Sequence, residues 1–331
     1  MAVTMADITK LRNLTSAGLM DCKKALAETD GDIEKAVEIL RKKGQAIAAK
    51  REDREAAEGC VLAKNDGQYA AIVALKCETD FVAKNEGFVN LTKAILAAAV
   101  EAKAKSIDEV KEIELNGQKI ADLIVQESGK TGEKMELGAF EYVEAPATVA
   151  YNHFGNKLAT IVAFSKDGVS EQAYKNVAMQ VAAMNPLAVD ECDVAEEIKE
   201  KEIAVAIEKT KVEQVQKAVD AALKKAGINP AHVDSEDHME SNKAKGWITE
   251  EDVAKAKEII ATVSAEKAAN LPEAMIQNIA KGRLGKFLKE VCLLNQEDVT
   301  SEDKKSVRET LKAIDPELKV VSFKRVNLNV D

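Results

Sequence analysis

The chain has 331 residues, of which 46% are hydrophobic, 31% charged and 4% aromatic, and its formal net charge is −10. That length amounts to two or three domains, and a charge-rich, aromatic-poor balance points to helix-dominated packing rather than a β-sandwich. The acidic total disfavours general nucleic-acid binding, which relies on clustered cations to displace counterions. No apolar run approaches the ~20 residues that span a bilayer, so no membrane partner is expected. No basic and then apolar leader opens the sequence. Five widely spaced cysteines, without a CxxC pair, fit the reducing cytoplasm and neither a disulfide framework nor a zinc site.

The residues of chemistry are sparse. There are three histidines, His153, His232 and His238, and the last two share an acidic loop that reads as a solvated turn. Ser128-Gly129-Lys130-Thr131 has the look of the end of a phosphate loop. Ile124, however, stands where that motif's first glycine belongs, and the preceding residues run at helical spacing. The segment is expected to be a helix C-terminus stopped at Gly129. No GxGxxG or GxSxG is present, and Cys22 lies on the apolar face of its helix. No enzyme, cofactor or metal site is therefore expected. A binding protein fits better.

Taken in chain order, residues 1–44 read as three helices. Ile8, Leu11 and Leu14 give the first its apolar face, Leu19, Cys22, Ala25 and Leu26 the second, and Ile33, Ala36, Val37 and Leu40 the third. Asp32 is the expected N-cap of the third helix and Gly44 its expected end. Residues 45–58 are charge-dense and read as a linker. The first core subdomain, 59–138, opens with a hairpin: strands 59–64 and 69–75 flank Asn65-Asp66-Gly67. A helix with Phe88, Leu91, Ile95 and Ala98 on one face follows.

The plan repeats in a second core subdomain, 139–200 and 270–331. Phe140 and Tyr142 alternate, strands at 148–151 and 157–164 flank His153-Phe154-Gly155-Asn156, and a helix begins near Ser170. The last strand, 320–326, is expected to join this subdomain's sheet. Residues 201–269 read as a coiled-coil-like helical insertion, with a capping-box pattern at Thr249 to Asp252. The fold class expected is α+β, with small antiparallel sheets and a helical projection.

One segment stands out. Glu78-Thr79-Asp80-Phe81-Val82-Ala83-Lys84 follows a strand but has neither period two nor period 3.6. The second subdomain has no equivalent. From pattern alone, Phe81 reads as core beneath the next helix, with outward projection the alternative.

Here the sequence resembles a known family. Leu11 to Leu26, with Gly31-Asp32-Ile33-Glu34-Lys35-Ala36, resembles the N-terminal signature of the translation elongation factor Ts family. Cys77-Glu78-Thr79-Asp80-Phe81-Val82-Ala83-Lys84-Asn85 resembles its second signature. Tyr151, His153, Gly155 and the helix at 177–183 are similar to its later subdomain, and Gly282 to Phe287 to the stretch that re-enters the core. The resemblance implies a guanine-nucleotide exchange factor that binds elongation factor Tu in its GDP-bound and nucleotide-free forms and promotes GDP release in the cytoplasm. It implies a ubiquitin-associated-like N-terminal module whose Arg12, Leu19 and Met20 touch the GTPase. Thr79, Asp80, Phe81 and Val82 would form the loop that wedges near the partner's magnesium and phosphate region. Gln180 stands where many members carry histidine and is carried over as a further partner contact. The helical projection often mediates dimerisation in that family, which leaves a homodimer open. A ubiquitin-associated-like adaptor is the alternative of a different class.

Overall fold

The computed structural model describes residues 3–15 and 17–329, so Ser16, within the Leu11 to Leu26 segment likened to a family signature, lies outside the described residues. The chain divides into two compact units, residues 1–189 with 296–331 and residues 190–295. Helices and small antiparallel sheets make up an α+β fold.

The first unit begins with α1 (Met5–Thr15), α2 (Leu19–Glu28) and α3 (Ile33–Ala49) around a core of Ile8, Leu11, Cys22, Ala25, Leu26 and Ala36. The Asp32 carboxylate caps α3 by accepting from the Lys35 N–H at 3.1 Å. Two expectations change here. Leu14 is 63% exposed and takes no part in the core. α3 does not end at Gly44 but passes through it to Ala49. A glycine stops a helix when it turns left-handed; Gly44 is not among the positive-φ residues and lies against Gly129 of another helix. The expected linker at 45–58 is thus helical at first, and the rest is pinned. Arg51 forks onto Glu78, the Lys134 ammonium donates to the Glu52 carbonyl at 2.9 Å, and Ala56 is buried.

β1 (Glu58–Asp66), β2 (Tyr69–Cys77), α4 (Asp80–Ala83), α5 (Glu86–Ala102), α6 (Ile107–Glu112), the short strands β3 (Glu114–Leu115) and β4 (Gln118–Lys119), α7 (Ile120–Thr131) and β5 (Met135–Glu144) follow. β2 pairs antiparallel with β1 on one side and β5 on the other. Residues 139–144 thus belong to the first sheet and not to the second subdomain. Gly138 permits the approach, since a Cβ there would fall 2.2 Å from the Lys76 side chain. α7 runs past Gly129 and is ended by Gly132, at φ 74°.

The second sheet is β6 (Ala147–Asn152), β7 (Leu158–Phe164) and β8 (Val320–Asn327), in the order β6-β7-β8, so the last strand joins it as expected. α8 (Glu171–Met184) packs on its outer face, where the buried Thr160 hydroxyl donates to the Ala178 carbonyl. The two sheets pack face to face. Val61, Ala63, Ala70, Ile72 and Ala74 meet Ala159, Ile161 and Ala163, small residues that let the layers close. On the far side of the first sheet, Leu62, Val73 and Leu75 meet Phe88, Ile95 and Ile120.

The second unit holds α9 (Glu196–Lys225), α10 (Glu236–Ala244), α11 (Glu250–Ala269) and α12 (Glu273–Val291). α11 and α12 both pack on α9, and α9, α10 and α11 share a core of Val219, Leu223, Met239 and Ala256 with Ile228, Val233 and Ile248 from the connections. Thr249 and Asp252 close the expected capping box. Residues 270–295, expected in the second core subdomain, belong instead to this helical unit: Arg283 pairs with Glu213 of α9 at 2.6 Å. In the first unit, α13 (Val307–Ile314) precedes β8. No helix among the described residues is long and apolar enough to cross a membrane.

Candidate functional site

The candidate site grows out of the end of β2. Thr79 takes an extended conformation, and its hydroxyl oxygen accepts from the Val82 N–H, which caps α4. In the single turn that follows, Ala83 is buried and Val82 packs on the first core. With those two side chains turned inward, a helical turn sends Phe81 the other way. Phe81 is 84% exposed. The core position expected from pattern is thereby overturned: the inward slots of this one turn are filled by Val82 and Ala83. Asp80, beside the ring, pairs with Lys84 at 2.7 Å. The Lys84 hydrogen bond holds the Asp80 carboxyl below its ordinary range and correspondingly raises the Lys84 ammonium.

The base of the turn is held by carboxylates. Glu78 accepts two bonds from Arg51 at 3.0 Å each and one from the Lys134 N–H at 2.6 Å. The Lys134 bond chiefly, then Arg51, pulls its pKa below the ordinary glutamate value of 4.5. A carboxylate whose folded pKa is depressed stabilises the fold above its unfolded pKa and loses that contribution as pH falls through the folded value. The stability difference between the wild-type chain and Glu78→Gln should therefore be constant near neutral pH and shrink below about pH 4.5. Urea unfolding across that range checks it.

A second exposed aromatic was missed by sequence reasoning. Phe154, at the reversal between β6 and β7, is 98% exposed. Gly155 and Asn156, at φ 89° and 55°, make that turn, and the signal was available: a Phe at the tip of a two-stranded reversal has no layer to enter. Lys157, next along the chain, pairs with Glu58 of β1 at 2.7 Å, and α4 packs on the same strand, which puts the reversal and α4 on one region of this unit.

Thr79, Asp80, Phe81 and Val82 are thus brought together on one turn. Arg12, Leu19 and Met20 lie on the surface of the three-helix module, with Leu19 44% and Met20 60% exposed. Spacing alone puts Leu19 on its helix's apolar face, but the inward positions of α2 belong to Cys22, Ala25 and Leu26. Gln180 does not join the exposed set. It is 1% exposed, its amide nitrogen donates to Gln296 Oε1 and to the Glu297 carbonyl, and its oxygen accepts from the Val299 N–H. Burial with this bonding makes it a lock on residues 296–299, which corrects its expected place at a partner surface. Gln180→Ala removes a buried amide and leaves the buried Gln296 side chain and the backbone of Glu297 and Val299 without it, and should cost about 1–3 kcal/mol, read from urea unfolding.

Among the described residues no group of three or more His, Cys, Asp or Glu side chains is placed to hold a metal ion. The arrangement is one for contact: an outward aromatic and a carboxylate on a capped turn, with apolar side chains on a separate helical module.

Comparison with known proteins gives the family. The model described as "Elongation factor TS" matches residues 78–226 and 203–329. Over the full length of both chains, the sequence is 70% identical to an "Elongation factor Ts" of Parabacteroides distasonis and 68% identical to one of Bacteroides thetaiotaomicron. It is 42% identical, again over both full lengths, to that of Porphyromonas gingivalis. The chain belongs to the elongation factor Ts family of translation elongation factors.

Proposed function

We propose that the chain is a guanine-nucleotide exchange factor for elongation factor Tu, working in the cytoplasm to promote GDP release so that GTP can bind. The observation that carries this reading is Phe81, an aromatic ring held in water on a capped turn beside Asp80. An aromatic kept out of its own core is available to a partner's. Inserted beside the partner's magnesium and phosphate region, the ring and carboxylate would stabilise the emptied form over the loaded one. Arg12, Leu19 and Met20 would touch the GTPase from the three-helix module, which we read as ubiquitin-associated-like. The exposed Phe154 offers a further apolar contact.

No bond needs to be made or broken in this chain. A factor that prefers the nucleotide-free partner lowers nucleotide affinity, and nucleotide lowers the factor's affinity by the same ratio. Burying one Phe ring is worth roughly 2–3 kcal/mol, so a few contacts made only in the emptied state suffice for a large shift. Titration of elongation factor Tu should show binding at least about tenfold tighter without nucleotide than with GDP and magnesium. Equal affinities would remove the exchange role.

A further inference from the structure

The turn that follows α7 reaches the wedge. Gly132 reverses the chain, the Ser128 hydroxyl donates to the Glu133 carbonyl at 2.5 Å, and the Glu133 N–H donates to Thr131 Oγ1 at 3.3 Å. These bonds fix the Glu133 backbone. Its carboxylate then takes two hydrogen bonds from one residue: the Thr79 N–H reaches Oε2 at 3.1 Å and the Thr79 hydroxyl reaches Oε1 at 2.6 Å. Thr79 is the N-cap of α4. A single helical turn fixes several dihedrals for very few hydrogen bonds and does not hold itself in water. Something outside it must supply the order, and Glu133 is placed to do so.

We propose that Glu133 is a positioning residue for the wedge. It clamps Thr79, and through Thr79 it keeps α4 wound and Phe81 presented in one orientation before a partner arrives. This rests on the exchange reading above. The segment that bears a superficial likeness to a phosphate loop, Ser128 to Thr131, is on this view the foundation of the clamp. The same helix meets the three-helix module, because Gly129 packs against Gly44 of α3. α7 and the turn after it therefore link the wedge, at Thr79, to the three-helix module, at α3. A wedge ordered in advance avoids a conformational cost at binding, and loss of the clamp lowers the competent fraction and with it the apparent affinity.

The test uses the full chain with Glu133→Gln, which keeps one acceptor oxygen, Glu133→Ala, which keeps none, and Glu127→Gln as a control on a neighbouring carboxylate of α7. Amide hydrogen exchange of residues 79–84 should be roughly tenfold faster in Glu133→Ala, intermediate in Glu133→Gln and unchanged in the control, with the melting temperature held. In release of labelled GDP from elongation factor Tu, the concentration for half-maximal stimulation should rise roughly tenfold in Glu133→Ala, while the rate at saturation holds. Unchanged protection of 79–84, or a loss confined to the saturating rate, would overturn the assignment. The amide measurement needs no partner, so it decides the role of Glu133 even where exchange itself fails.

Discussion

Phe81→Ala should reduce stimulated GDP release roughly 30-fold or more at sub-saturating concentration, while the chain melts as the wild type does. The first number follows from truncating an aromatic at the centre of an interface, about 2–4 kcal/mol, with each 1.4 kcal/mol a factor of ten. The second follows from exposure: a side chain 84% in water contributes little to its own fold, and surface substitutions stay within about 0.5 kcal/mol. A core Phe would behave oppositely, losing about 3–5 kcal/mol on truncation. One pair of measurements, release kinetics and thermal unfolding, thus separates the wedge from a buried ring. A Phe81→Ala chain that stimulates normally would show that the ring is not used.

The second large effect lies where α3 crosses α7. A Cβ on Gly129 would fall 2.5 Å from the Gly44 Cα, and both sides of that contact are backbone, so neither can swing aside. Gly129→Ala should therefore push the helices apart and cost about 1–3 kcal/mol, as overpacking does. Gly44→Ala makes the reverse prediction. Its Cβ would meet nothing nearer than 3.7 Å, and replacing an interior helical glycine by alanine is worth up to about 1 kcal/mol. Urea midpoints should thus move in opposite directions for two substitutions at one crossing. Equal shifts would contradict the close approach. Because α7 also carries the turn that holds Thr79, Gly129→Ala should loosen the wedge as well as the helix pair.

The elements legible in the sequence are those whose signals are local. The Asp32 and Thr249 caps, the β1–β2 hairpin and the return of the last strand to the second sheet depend on residues near one another or on plain β-branched runs. What was illegible depends on tertiary neighbours. β2 and β7 are buried on both faces because the two sheets pack together, which erases the alternation that marks a half-exposed strand. Phe140 and Tyr142 alternate, but nothing local says which sheet they join; their strand pairs with β2. Gly44 and Gly129 look like helix ends and are instead a crossing, a distinction that needs both partners in view.

The site divides along the same line. The Thr79-Asp80-Phe81-Val82 segment could be picked out as anomalous, yet a four-residue helix is too short for periodicity to assign a direction to its ring. Gln180 lies on an apolar helix face, and only the packing of residues 296–299 against it shows that its amide is spent internally. Glu133 gave no signal at all, because its importance comes from the backbone and hydroxyl of Thr79, far away in the chain.

The central claim is tested most directly by the rate of labelled GDP release from elongation factor Tu with magnesium present, on mixing with the wild-type chain. Release should accelerate with the chain's concentration and saturate once the partner is fully bound. A rate that does not change at concentrations where the two proteins demonstrably associate would contradict it.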